Sequence, residues 1–213
     1  MKLKVNEIFY SIQGESTYAG LPCIFIRLTY CNLRCSWCDS EYTFNNGIDM
    51  SINEIIQEIK IYNCNLVEVT GGEPLFQEGC IELLSSLENE GFKILLETGG
   101  SLSVKDVPLS VIKVIDFKCP GSGMDKKNLW SIINEINPSD ELKFVIKNRS
   151  DFEWAELKVV EYNLDKTNIV IFSPVFSELK YEQLAEWVKE SKLNIRMQIQ
   201  MHKHIWSPNL IGV

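Results

Sequence analysis

No run of 18 apolar residues occurs in the chain, so no transmembrane helix is expected. The first residues, Met1-Lys2-Leu3-Lys4-Val5-Asn6-Glu7, lack the apolar core of a signal peptide. These two absences predict a cytoplasmic protein. Basic residues are in deficit: 21 Lys and Arg stand against 29 Asp and Glu, a net charge of −8. A nucleic-acid-binding surface needs the opposite balance, so the expected partner is a small molecule. An anionic substrate would need a local cation in such an acidic protein. Internal repeats, low-complexity tracts and long linkers are also missing. With 45% of 213 residues hydrophobic, one core and a single domain over 1–213 are expected.

What is present is concentrated in one short stretch, Cys31-Asn32-Leu33-Arg34-Cys35-Ser36-Trp37-Cys38, with the spacing C-x3-C-x2-C. The chain has seven cysteines, an odd number, and three are bunched as ligands are. In a reducing compartment that pattern reads as metal binding rather than disulfides. Three thiolates can hold three corners of a four-iron cluster and leave one iron open to bind a small molecule. The alternative is structural zinc, which takes four protein ligands, commonly as two cysteine pairs. No second pair exists; Cys23, Cys64, Cys80 and Cys119 are isolated, and the two histidines, His202 and His204, are distant in sequence. Cys23 and Cys80 read as small core residues, while Cys119 is ambiguous.

Apolar strand-like runs alternate with amphipathic helical ones. Strands are expected over Cys23–Tyr30, Leu66–Thr70, Phe92–Glu97, Val111–Phe117, Glu141–Ile146, Asn168–Phe172 and Asn194–Met201. Helices are expected over Ser51–Ile61, Gln77–Glu90, Lys126–Ile136, Asp151–Tyr162 and Glu178–Lys189. Ser51 with Glu54 makes a capping box, and Ile52, Ile55, Ile56 and Ile59 share one helical face. Short, nearly all-apolar strands suit a parallel sheet covered by helices, an α/β fold of right-handed βαβ units, as a barrel or part of one. Sites in such sheets lie beyond the C-terminal ends of the strands. Five loops meet that rim: the cysteine loop, Gly71-Gly72-Glu73-Pro74, Thr98-Gly99-Gly100, Lys118-Cys119-Pro120-Gly121 and Ser173-Pro174.

The cysteine spacing with Trp37 before the last thiol, followed by Gly71-Gly72-Glu73-Pro74, resembles the radical S-adenosylmethionine (SAM) superfamily. Glycine lets the backbone approach a ligand closely. Glu7-Ile8-Phe9-Tyr10-Ser11-Ile12-Gln13-Gly14-Glu15, Phe25-Ile26-Arg27, Cys38-Asp39-Ser40 and Gln198-Ile199-Gln200-Met201-His202-Lys203 narrow it. Together they resemble the 7-carboxy-7-deazaguanine synthase family, in which the last motif ends Gln-Thr-His-Lys; Met201 departs from it.

The resemblance implies a partial (β/α) TIM-like barrel and a carbon–nitrogen lyase. The lyase would convert 6-carboxy-5,6,7,8-tetrahydropterin to 7-carboxy-7-deazaguanine, a queuosine precursor, with loss of ammonia. It implies Cys31, Cys35 and Cys38 as ligands of a 4Fe-4S cluster. For SAM it implies Trp37, Cys38, Asp39, Gly72, Thr98, Asp116, Phe117, Lys118, Ser173 and Pro174. For substrate it implies Ile12, Gln13, Gly14, Arg27, Thr70 and the C-terminal Val213. Ser40 stands where Thr is common and would ligate Mg²⁺; both hydroxyls are hard oxygen ligands. Residues 1–22 would be a substrate-binding extension and 202–213 a closing segment. A flavodoxin or ferredoxin would supply electrons to a homodimer. Two other readings are weighed. Gln13-Gly14-Glu15, Cys38-Asp39-Ser40 and the His202-Lys203 ending discriminate against a glycyl-radical-enzyme activase, and an iron–sulfur electron carrier calls for a fourth nearby cysteine.

Overall fold

The computed structural model describes all 213 residues. Seven strands run parallel: β2 (Pro22–Leu28), β4 (Leu66–Gly71), β5 (Lys93–Thr98), β6 (Ile112–Phe117), β7 (Glu141–Ile146), β8 (Ile169–Pro174) and β9 (Ile195–Met197). Two more, β1 (Lys2–Ile12) and β3 (Ile48–Ser51), pair antiparallel at one edge. The order is β3-β1-β2-β4-β5-β6-β7-β8-β9, with no pairing between β3 and β9. The sheet is therefore an open, partial barrel. The helices are α1 (Ile52–Ile59), α2 (Cys80–Asn89), α3 (Arg149–Glu161), α4 (Leu164–Thr167), α5 (Tyr181–Glu190) and α6 (His202–Ile205).

The helices cover one face of the sheet. The main core, 36 buried residues, lies between them and includes Ile24, Ile26, Val67, Val69, Leu96, Leu142, Phe144 and Phe172. A smaller cluster of Phe9, Cys23, Phe25, Leu66 and Leu95 sits on the concave face. Cys23, Cys80 and Cys119 are fully buried, so Cys119 is a core residue despite its place near the rim. The capping box at α1 forms in both directions: Ser51 Oγ accepts from the Glu54 amide, and the Glu54 carboxylate accepts from the Ser51 amide. Trp187 packs on the core, with its ring 5.5 Å from that of Phe152.

Two expectations are corrected. Strands are expected only from Cys23 onward, but the N-terminal segment carries an 11-residue strand, β1, inside the sheet. The helix expected over Lys126–Ile136 is two short 3₁₀ turns, Asp125–Lys127 and Trp130–Asn134. Asn128 is extended between them because its side chain bonds both backbone groups of Lys118, and the Leu129 amide bonds Gly100 O. Those tertiary bonds outweigh the helical spacing of Leu129, Ile132, Ile133 and Ile136.

The loop between β1 and β2 spans the concave face. The Thr17 amide donates to the Glu141 carboxylate of β7, the Gln198 side chain donates to Ser16 O, and the Met201 amide donates to Gly14 O.

Candidate active site

A cavity of about 680 Å³ opens on the concave face at the C-terminal ends of the strands. The cysteine loop forms one wall, with Cys31, Cys35 and Cys38 all lining it. Neighbouring loops pin it: the Ser36 amide and hydroxyl donate to Ser122 O and Gly121 O at 3.1 and 2.9 Å. Asn32 bonds Ser101, and the Arg34 guanidinium donates to Cys31 O and lies over Phe44. All seven cysteines are free thiols. No three His, Cys, Asp or Glu side chains converge tightly enough for a single metal ion. Three soft donors spread along one wall suit a larger iron–sulfur group. Burial pushes the Cys35 thiol up to about 11, while the nearby Lys118 ammonium pulls the other way. A bound cation would reverse that balance and take the thiolates.

The glycine turn after β4 runs against this wall. Gly71 has φ +150°, and a Cβ there would lie 2.2 Å from Leu28 O. A Cβ on Gly72 would lie 2.3 Å from Tyr30 O and 2.7 Å from Cys31 Cβ. Only glycine permits this approach. Glu73 is wholly buried, and its carboxylate accepts from the Leu75 amide, the Thr98 hydroxyl and the Gly99 amide. It thus ties the turn after β4 to the turn after β5. Thr98 lines the cavity, with its hydroxyl donated to Glu73.

Asp116 and Lys118 face the cavity as an ion pair at 2.9 Å. Burial opposes the charge on Lys118, but Asp116 keeps its ammonium well protonated. Trp37, Asp39, Ser40, Gly72, Arg27, Thr70, Ile12, Gln13, Gly14 and Val213 also line the cavity. The structure does not bring Phe117, Ser173 or Pro174 to its wall. Side chains alternate along a strand, so Phe117 points between the sheet and the helices and stacks on Trp130 at 4.7 Å. Ser173 is buried beneath the rim, and Val175 and Phe176 line the cavity instead. Ser40 Oγ lies 3.7 Å from Cys38 Sγ. Asp39 accepts from Lys203 at 2.6 Å; desolvation raises its pKa, but Lys203 outweighs that and holds it at about 2.

Deeper in the cavity the chain places charges that the sequence reading did not assign. Glu68, Glu97 and Lys143 project from β4, β5 and β7. Lys143 pairs with Glu15 and, at 3.1 Å, with Glu97. Gln13 donates to Glu68 and accepts from the Glu15 amide. Thr70 donates to Glu97 at 3.3 Å. Burial first, then Glu97 and Glu15, push the Glu68 carboxyl well above the usual range. Arg27 is paired with Glu7, also unassigned before. The available signal was one charged residue at alternate positions of otherwise apolar strands, as in Leu66-Val67-Glu68-Val69-Thr70.

Three thiols beside a glycine turn, at the C-terminal ends of parallel strands, define a radical SAM site. The Radical SAM superfamily model matches residues 25–113. A 7-carboxy-7-deazaguanine synthase of Koribacter versatilis is 43% identical over 99% of this chain and 100% of its own length. One from Chlorobaculum tepidum is 42% identical over 99% and 97%. The chain belongs to the 7-carboxy-7-deazaguanine synthase family. Its fold also matches the crystal structure of QueE from Escherichia coli, with TM-score 0.79, 24% identity and 95% of each chain covered.

Proposed function

We propose that the protein contracts the ring of 6-carboxy-5,6,7,8-tetrahydropterin to 7-carboxy-7-deazaguanine with release of ammonia, supplying a precursor of queuosine. The observation that carries this reading is the meeting of three thiols, the Gly71-Gly72 turn and the Arg27 guanidinium in one cavity. Atoms balance with ammonia as the only co-product, so no net oxidant is consumed.

Cys31, Cys35 and Cys38 would hold the 4Fe-4S cluster. Trp37, Asp39, Gly72, Thr98, Asp116 and Lys118 surround the space for SAM. When bound, cluster and SAM together supply one-electron chemistry that takes a hydrogen atom from the substrate. The protein's own part is binding, orientation and dryness. The Arg27 terminal nitrogens present a fork suited to a carboxylate. Phe9 and Phe25, stacked at 4.8 Å, give an apolar floor near it. Ile12, Gln13 and Gly14 line the cavity where they would offer groups to the pterin edge, with Gln13 and Glu15 held by Glu68 and Lys143. Thr70 and Val213 complete the substrate contacts, and the segment 208–213 covers the cavity. Ser40 would ligate Mg²⁺ through its hydroxyl, orienting the substrate carboxylate. On this reading the protein works in the cytoplasm as a homodimer and takes electrons from a flavodoxin or ferredoxin.

The test is anaerobic reconstitution with iron and sulfide, then incubation with SAM, dithionite and the carboxytetrahydropterin. The expected product is 7-carboxy-7-deazaguanine with an equivalent of ammonia. A reconstituted protein that cleaves SAM but leaves the pterin unchanged would refute the reading.

A further inference from the structure

The pairing of Glu7 with Arg27 is built by a defect in the sheet. In a regular strand, residues 5 and 7 share a face. Here Val5 lies opposite Leu28 and Glu7 opposite Arg27, with a register shift between them. The extra residue turns β1 over. Leu3 and Val5 pack into the helix-covered core, whereas Glu7 points into the cavity face with Phe9. Bulges re-aim side chains in this way, often beside active sites.

The re-aimed carboxylate grips Arg27 at one point only. Glu7 Oε1 accepts from Arg27 Nε at 2.7 Å and from the Tyr42 hydroxyl at 2.8 Å. Charge neutralisation alone would favour two parallel bonds, the stronger pairing of carboxylate with guanidinium. Instead the two terminal nitrogens of Arg27 have no protein acceptor, and Arg27 lines the cavity. Phe9 flanks the guanidinium, its ring centroid 5.6 Å from Cζ. Nε is fixed from behind and the cation is flanked by a ring, so the terminal fork is held out.

We propose that Glu7, oriented by Tyr42, is the positioning residue that aims the Arg27 fork at the substrate carboxylate and thereby selects pterins carrying a 6-carboxylate. The proposal rests on the reading of Arg27 as the carboxylate-binding cation, and the test separates the two.

The probes are 6-carboxypterin and unsubstituted pterin, both fluorescent, titrated anaerobically onto the reconstituted protein. Glu7→Gln keeps the shape but loses the charge; far-UV circular dichroism and iron content check that it folds and loads. We expect Glu7→Gln to raise the Kd of 6-carboxypterin about tenfold, the scale of one charged hydrogen bond, with little change for unsubstituted pterin. Tyr42→Phe, a milder change, should raise it about threefold with the same selectivity. In an Arg27→Ala background, Glu7→Gln should add nothing, because the group it aims is gone. Turnover should show a raised KM with kcat nearly kept. Equal weakening of both pterins would overturn the proposal, since Glu7 would then only maintain the cavity. If Arg27→Ala weakens 6-carboxypterin and Glu7→Gln does not, the positioning role falls while the reading of Arg27 stands. If Arg27→Ala leaves 6-carboxypterin binding unchanged, both fall.

Discussion

The two faces of the sheet are built from the same strands and have opposite chemistry. The helix-covered face carries Ile26, Val69, Leu96, Phe117, Phe144 and Phe172, all buried. The concave face carries, at alternating positions, Arg27, Thr70, Glu97, Asp116 and Lys143. One face excludes water to hold the fold; the other keeps charges paired with one another and presented to a cavity. Charged residues stay buried only when paired and hydrogen-bonded; on the cavity face the pairs are Glu7–Arg27, Asp116–Lys118 and Lys143 with Glu15 and Glu97, and the helix-covered face holds one too, Lys113 with Asp140 at 3.0 Å. The comparison assigns stability mainly to one face and chemistry mainly to the other.

Substitutions on each face sharpen this division or break it. The largest loss of stability should come from Phe144→Ala on the helix face, about 4 kcal/mol, read by urea unfolding. Protein that remains folded should still bind its cluster. Lys143→Met tests where the division fails. It leaves Glu15 and Glu97 without their cation, so it should cost about 3 kcal/mol although it lies on the cavity face. A cost under 1 kcal/mol would mean that the loop between β1 and β2 is held by its other bonds. Arg27→Ala should raise KM about thirtyfold, near 2 kcal/mol of binding, with iron content unchanged. Loss of the cluster instead would make Arg27 a structural residue.

The smallest effect concerns Glu68. Burial, Glu97 and Glu15 raise its folded pKa well above 4.5. The folded protein therefore keeps a proton that the unfolded chain gives up. The associated stability is complete below the unfolded carboxylate pKa and is lost as pH rises through the folded one. Glu68→Gln should flatten that decline by about 1 kcal/mol per pH unit within this window, in unfolding free energies measured against pH. An unchanged slope would place the titrating group elsewhere.

Most of the parallel sheet was legible because its strands are short apolar blocks between turn residues. The bounds of β2 and of β4 to β8 fall within two residues of expectation. Strand β1 was not legible. Its bulge shifts the apolar phase from Leu3 and Val5 to Ile8, which breaks the alternation that marks a strand. The cysteine loop and the glycine turn were readable as motifs, since both depend on residue types that local geometry demands. The two-residue period puts the side chains of Asp116 and Lys118 on the cavity face and that of Phe117 behind them, a distinction that the run 116–118 taken as one loop does not carry. Glu68, Glu97 and Lys143 lie on three different strands, and only the fold brings them together. Their pairing is a tertiary fact: Lys143 and Glu15 are 128 positions apart in the chain, and the loop between β1 and β2, crossing the concave face to β7, makes them neighbours.

The division between the faces is tested most directly by measuring unfolding free energy and turnover on two mild variants, one per face. Phe144→Leu should lose about 1 kcal/mol of stability and keep the wild-type kcat/KM for the carboxytetrahydropterin in its folded fraction. Arg27→Lys keeps the charge without the fork, and should keep its stability within about 0.5 kcal/mol while kcat/KM falls at least tenfold. Stability and turnover falling together in both variants would contradict the account.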